Sequence, residues 1–135
     1  MAGPSPAPVL DRAILDRLHA TLGTERARAV VALVRCEMHR RVDAILRGID
    51  MPPRVAREAD ALGAAARSVG LVALAAAADH LAAAARQGHG DALVEAIEAL
   101  ARAVREAQGA LGEAGYSATS DSPAAGPSPQ DARLR

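Results

Sequence analysis

Residues 57–70, READALGAAARSVG, contain the spacing that decides the fold. Apolar side chains recur through this stretch and just before it at intervals of four, three, four and three residues: Val55, Ala59, Leu62, Ala66 and Val69. Because an α-helix completes a turn about every 3.6 residues, this spacing places all of them in one stripe along the helix. Gly70 follows the last of them, and glycine is common immediately after a helix ends. The stretch therefore predicts an amphipathic helix that packs its stripe against other helices.

Helical periodicity extends outward from this stretch in both directions. A short segment beginning at Asp11 and longer segments beginning at Thr24 and Asp91 carry apolar side chains at the same spacing. The predicted breaks between helices are Gly23, Gly48 to Pro53, Gly70 and Gly88. Since these connections are short, neighbouring helices must run antiparallel. The sequence predicts an all-α fold, an up-and-down antiparallel four-helix bundle with a short leading N-terminal helix.

The two ends of the chain differ from the middle in composition. Residues 1–8 and 112–135 are rich in Pro, Gly, Ser and Ala and contain few large apolar side chains. Such segments cannot bury enough apolar surface to offset the entropy lost on ordering. We therefore predict a disordered N-terminus over 1–8, a helical bundle over 9–111 and a disordered tail over 112–135.

The charges and the single cysteine argue against several classes of protein. Sixteen acidic residues balance sixteen basic ones, all arginine, so no net positive field attracts nucleic acid or an anionic membrane. Residues 71–85, LVALAAAADHLAAAA, are interrupted by Asp79 and His80 and are too short to span a bilayer. Cys36 has no partner for an intrachain disulfide, which favours a reducing compartment. We expect a soluble, cytoplasmic monomer, and the absence of Lys and Asn indicates a high-GC bacterial genome.

Three stretches of the chain resemble the histidine-phosphotransfer (HPt) family. Residues 9–34, VLDRAILDRLHATLGTERARAVVALV, are similar to the family's leading stretch, with a Leu-Gly break before a long second helix. Residues 59–74, ADALGAAARSVGLVAL, are similar to its phosphorylation-site signature, His-x-x-Lys-Gly followed six residues later by Gly, and residues 86–93, RQGHGDAL, also match. The resemblance covers roughly residues 9–110 and implies a helical bundle that takes part in a two-component phosphorelay.

The resemblance places the phosphoacceptor at position 60, where this chain has Asp60. By the same correspondence, Gly63 replaces the family's Lys, Ala64 its Gly, and Ala82 a polar residue of the next helix. A phosphoacceptor must be exposed, and Asp60 meets that condition because it lies about 200° around the helix from Leu62. Position 63 is expected on the same exposed strip. The joint loss of all four residues predicts a protein that does not take phosphate.

We expect the surface around position 60 to bind a partner protein, either a receiver domain of a response regulator or a sensor histidine kinase. Small and charged residues surround the position on the two helices that meet there. The predicted members of this docking surface are Ala56, Arg57, Ala61, Arg67, Ala78 and Asp79.

His80 is an alternative phosphoacceptor. The helices on either side of Gly70 are expected to run antiparallel, and Asp60 and His80 are each ten residues from that glycine. The two side chains should therefore lie at similar heights along the bundle. His19, by contrast, is expected at the bundle surface without a special role.

The sequence does not predict a metal site or an enzyme. Asp79 with His80, and His39 with Asp43, offer two potential ligands each, and no third is placed nearby by spacing. No nucleophile–base set or glycine-rich phosphate cradle is present, so we expect neither a cofactor nor catalysis.

Three functions are consistent with these features. The first is an HPt-like binding module that docks a receiver or kinase without carrying phosphate, with a regulatory or scaffold role. The second is an active phosphocarrier that uses another histidine, such as His80. The third is a purely structural helical bundle.

Overall fold

The computed structural model describes residues 8–88 and 90–116. These residues form five helices: α1 (Arg12–Leu22), α2 (Thr24–Arg47), α3 (Pro52–Ser68), α4 (Val72–Gln87) and α5 (Gly90–Glu113). They contain no strand, and consecutive helices are separated at Gly23, within the predicted break from Gly48 to Pro53, and around Gly70 and Gly88. Each helix packs against the next one along the chain, as the short connections require. The predicted all-α bundle with a short leading helix is confirmed.

Local sequence signals set the ends of the helices. The carboxylate of Asp11 caps α1 by accepting a hydrogen bond from the amide of Ala13 at 3.0 Å. Gly23, with φ of 85°, ends α1 in a backbone conformation that L side chains rarely adopt. Pro52 and Pro53 begin α3, where the missing amide donors cost least because the first turn has no intrahelical partner for them.

The start of α1 is fastened to the turn between α3 and α4. The amide of Asp11 donates a hydrogen bond of 2.7 Å to the carbonyl oxygen of Gly70. Gly70 has φ of 85°, and a Cβ at this position would lie 2.7 Å from the carbonyl oxygen of Asp11. Only glycine allows this close approach, so the turn that ends the signature stretch also positions the leading helix.

The core forms along the predicted stripe of α3. All five stripe residues, from Val55 to Val69, are fully buried. They pack in one cluster with large aliphatic side chains of the other long helices: Met38, Ile45, Leu74, Leu81 and Leu100. Burying each of these side chains contributes about 1.5–3 kcal/mol. The core therefore depends on α3, which contacts both α2 and α4.

Small residues make the contact between α3 and α4. The buried small residues are Ala56, Ala59, Gly63 and Ala66 on α3, and Ala75, Ala78, Ala82 and Ala85 on α4. Side chains of this size let two helix backbones approach closely. The groove between α3 and α4 lies above this contact.

The bundle extends further toward the C-terminus than predicted. The expected boundary was residue 111, whereas α5 continues to Glu113 and Tyr116 is only 3% exposed. Residues 112–115 carry little apolar surface, and the apolar surface that this segment buries comes from the ring of Tyr116. Apart from Pro8 and residues 112–116, the predicted disordered ends lie outside the described residues.

Tyr116 is held by side chains of α1 and α2. Its hydroxyl is hydrogen-bonded to Nε2 of His19, and its carbonyl oxygen accepts a hydrogen bond from the buried Arg35. The guanidinium of Arg28 lies 4.9 Å from the centre of the tyrosine ring and donates a 2.8 Å hydrogen bond to the carbonyl of Gly115. His19 is thus half-buried against Tyr116, a contact that the sequence did not predict.

Candidate functional site at the α3–α4 face

Asp60 lies at mid-length of α3 on the face away from the core. About half of its side-chain surface is exposed (50%), and its carboxylate accepts a hydrogen bond from the guanidinium of Arg86 on α4. The ion pair crosses the groove between the two helices. Position 60 therefore presents an ion-paired carboxylate to solvent.

A second ion pair crosses the same groove toward the other end of α3. Nη1 of Arg67 lies 2.9 Å from Oδ2 of Asp79, and both side chains are about half exposed. In this pair α3 supplies the cation and α4 the carboxylate, which is the reverse of Asp60 and Arg86. Exposed ion pairs contribute only about 0–1 kcal/mol each, so the two pairs shape the surface charge more than they stabilise the fold.

Gly63 lies beneath the second ion pair and not on the exposed strip where we expected it. A Cβ at this position would lie 3.1 Å from Oδ1 of Asp79, 3.4 Å from Nη2 of Arg67 and 3.6 Å from Cβ of Ala78. Gly63 is three positions after Asp60 and therefore lies about 60° around the helix from it, on the side toward α4. A longer side chain at position 63 must therefore displace the Arg67–Asp79 pair.

The other two positions of the predicted site differ in exposure. Ala64 is exposed one turn after Asp60, whereas Ala82 is 1% exposed and lies within the contact between α3 and α4. No polar side chain occupies position 82 to hold a group at position 60.

The predicted docking surface is reduced by burial. Ala56 and Ala78 are 3% and 0% exposed, so they belong to the α3–α4 contact and are not available to a partner. Ala61 is half-buried. The predicted members that are exposed are Arg57, Arg67 and Asp79. The surface that a partner can reach is therefore more charged than the sequence suggested.

His80 is exposed on α4 but faces away from position 60. Position 63 on α3 contacts Ala78 on α4. Three positions further from the turn on each helix, residue 60 is therefore level with about residue 81. Asp60 and His80 thus lie at similar heights along the bundle, as expected. His80 is, however, two residues from Ala78, which places it about 160° around α4 from the side that meets α3. Its surroundings are separate from those of Asp60.

The far edge of α3 carries its own ion pairs. Glu58 accepts a 2.8 Å hydrogen bond from Nη1 of Arg41 on α2, and Glu37 lies beside the same guanidinium. The hydrogen bond with Glu58 raises the pKa of Arg41 above its ordinary value. Glu58 is therefore engaged toward α2, and Asp60 is the carboxylate of α3 that faces α4.

Within residues 8–88 and 90–116, no group of three or more His, Cys, Asp and Glu side chains could hold a metal ion. Over the same ranges, none of the helices combines the length and apolar character needed to cross a membrane.

Sequence reasoning missed Arg86. The antiparallel arrangement about Gly70 could have indicated it. Arg86 lies on α4 a little more than one helical turn beyond the level of Asp60, and an arginine side chain is long enough to reach back over that distance. The signal is weak, since several residues of α4 satisfy the same condition.

Comparison with known proteins identifies the fold. No protein-family model and no curated protein matches the sequence. The crystal structure of histidine-containing phosphotransfer protein B (HptB) from Pseudomonas aeruginosa PAO1 superposes with a TM-score of 0.74, over 81% of this chain and 96% of that chain. The chain has an HPt-like fold. At 17% identity the likeness establishes the fold of this HPt-like protein and leaves its activity to be argued from the site.

Proposed function

We propose that this HPt-like protein is a binding module of a bacterial two-component phosphorelay that docks a receiver domain or a sensor kinase without carrying phosphate. In this proposal it acts in the cytoplasm as a monomer, and it regulates or scaffolds the relay and is not an enzyme. The HPt-like fold supports a partner from the phosphorelay. The residues at the α3–α4 face support the absence of phosphate transfer.

The observation that carries the proposal is the Asp60–Arg86 ion pair at the exposed centre of α3. Phosphoryl transfer to this position requires an imidazole, and α3 contains no histidine. A carboxylate could accept a phosphoryl group only as an acyl phosphate, which needs neighbouring acids, a metal and a cation to form. Here the carboxylate is paired with Arg86, and the supporting positions hold Gly63, Ala64 and Ala82.

Asp60 is also a poor imitation of phosphohistidine. It carries one negative charge on a short side chain, whereas a phosphoryl group approaches two charges on a longer one. Its pairing with Arg86 reduces that charge further. The proposed role is therefore to occupy a partner's docking surface, in competition with phosphate-carrying proteins, and not to signal a phosphorylated state.

The test is to measure binding and phosphate transfer separately. Receiver domains from the same genome are phosphorylated with labelled phosphate and mixed with the protein, with a histidine-containing HPt protein as the positive control for transfer. We expect saturable binding of at least one receiver or kinase and no label on the protein. Binding to none of them would contradict the proposal and leave a structural bundle.

The exposure of His80 supports a second candidate, a phosphocarrier that uses this histidine. Acid-labile, base-stable label on the protein would favour it over the first proposal. The His80→Ala variant then decides between acceptors, because label that persists in this variant must lie on another histidine. His39 is the matched control, since it is also exposed but lies on α2 next to Gln108.

A further inference from the structure

A pocket opens at the end of the α3–α4 groove that lies beside Asp60. Its walls come from the first turns of α3 and the last turn of α4: Pro52, Pro53, Ala56, Arg57, Ala85, Arg86, Gln87 and Gly88. Its volume is about 470 Å³, which is enough for one or two side chains of a partner. The floor is apolar, because Ala56 and Ala85 are both buried.

The charge of this pocket comes from one arginine on each helix. Arg86 is paired with Asp60 across the groove, whereas Arg57 belongs to none of the ion pairs among the described residues. The carboxylate next to Arg57 in sequence, Glu58, is engaged with Arg41 on the opposite side of α3. The pocket wall and its rim therefore hold two guanidinium groups and one carboxylate, an excess of one positive charge.

The helix ends do not cancel this excess. The positive N-terminal end of α3 and the negative C-terminal end of α4 both lie at the pocket, so their partial charges oppose each other. Arg57 and Arg86 are the charged side chains that line the pocket. The other end of the groove differs, because there Arg67 and Asp79 are matched one to one and lie over Gly63.

We infer that this pocket binds an acidic side chain of the protein that docks on the α3–α4 face, with the carboxylate between Arg57 and Arg86. This inference rests on the proposed function, since the docked protein presents the carboxylate. The methylene groups of a Glu or Asp side chain fit the alanine floor, and guanidinium groups bind carboxylates in a planar, bidentate geometry. Arg86 exchanges Asp60 for the incoming carboxylate at little cost, because an exposed ion pair is weak.

The test is a titration of the isotopically labelled full-length protein with a hexaglutamate peptide, followed by nuclear magnetic resonance. We expect saturable shifts of the amides of residues 54–58 and 85–88, and binding weakened about tenfold in Arg57→Gln and in Arg86→Gln. Arg102→Gln is the matched control, because Arg102 is an exposed arginine on α5. Its affinity should equal that of the wild type.

Three other results would overturn the inference. Absence of saturable shifts in these residues, or binding of hexaglutamate by both arginine variants as tightly as by the wild type, means that the pocket does not take a carboxylate. Inorganic phosphate that binds at the same residues as tightly as the peptide, at equal ionic strength, means a site for free anions and not for an acidic side chain.

Receiver binding separates this inference from the proposed function. If a receiver binds the wild type and both arginine variants equally, the pocket is not used and the proposed function stands. If hexaglutamate binds at the pocket but no receiver or kinase binds the protein, the proposed function fails and the acidic-side-chain pocket stands.

Discussion

The carboxylate of Asp60 on α3 and the guanidinium of Arg86 on α4 form an ion pair across the groove between these helices. The two residues are 26 positions apart in the chain and are brought together by the antiparallel packing about Gly70. An aspartate at this position is thus part of an interhelical pair and not a lone surface charge. Any substitution of Asp60 also releases Arg86.

Introducing a histidine by Asp60→His alone should restore phosphoryl transfer only weakly. The imidazole would be exposed, but Arg86, released from its ion pair, would not be held in place to stabilise the charge that develops on the phosphoryl group, an effect worth a few kcal/mol in a preorganised site. The triple variant Asp60→His, Gly63→Lys, Ala64→Gly should accept phosphate at least about tenfold faster. Transfer from a labelled receiver, measured for both variants under identical conditions, checks this.

The lysine in that triple variant must push aside the Arg67–Asp79 pair, which lies 3.1–3.4 Å from a Cβ at position 63. Both side chains are exposed at their ends and can move, so the variant should fold, with a loss of about 1 kcal/mol from the new glycine at position 64. Equal transfer by the single and triple variants would contradict our account of the supporting residues.

Two glycine-to-alanine substitutions should have opposite effects on stability. Gly70→Ala should destabilise the protein by more than about 1 kcal/mol, because φ of 85° is unfavourable for alanine. Its Cβ would also lie 2.7 Å from the carbonyl of Asp11. Gly109→Ala is the matched control within α5, where a Cβ meets nothing within 4 Å. It should stabilise the protein by about 0.5–1 kcal/mol. Urea denaturation of both variants measures the difference, and a loss of stability in Gly109→Ala would count against the helical assignment there.

Tyr116 should contribute to the stability of the whole bundle. Replacing it by alanine removes a buried aromatic ring and should cost about 3–5 kcal/mol, the usual range for a large aromatic side chain. Tyr116→Phe keeps the ring but loses the hydrogen bond to His19, and should cost about 0.5–1.5 kcal/mol. Thermal or urea unfolding checks both values. If Tyr116→Ala were as stable as the wild type, the segment after α5 would not belong to the folded unit.

Much of the fold could be predicted from the sequence because the signals for it are local. The apolar spacing from Val55 to Val69 depends only on the period of a single helix, and all five side chains of that stripe are buried. The glycines at 23, 70 and 88 mark helix ends because their backbone conformations suit few other residues. The exposure of Asp60 follows from the same helical period.

The tertiary structure decided which residues meet across helices. The helical period of α3 predicts that Gly63 lies near Asp60. The rotation of α4 against α3, which the sequence does not give, places Arg67 and Asp79 over Gly63. The same packing buries Ala56 and Ala78, which the sequence placed on an open surface.

The C-terminal end of the bundle was also decided by packing. Tyr116 lies in a segment with the composition of a disordered tail. Its burial depends on how its ring packs against α1 and α2, which the sequence does not indicate. Sequence by itself determined where the helices up to α4 begin and end and which face of each helix is apolar, since these depend on neighbours within a turn or two. Three features depend on the rotation and height of one helix against another: the ion-pair partner of Asp60, the side chains that cover Gly63, and the position of Tyr116. That rotation and height are set by the packing of many side chains together, and no single stretch of sequence encodes them.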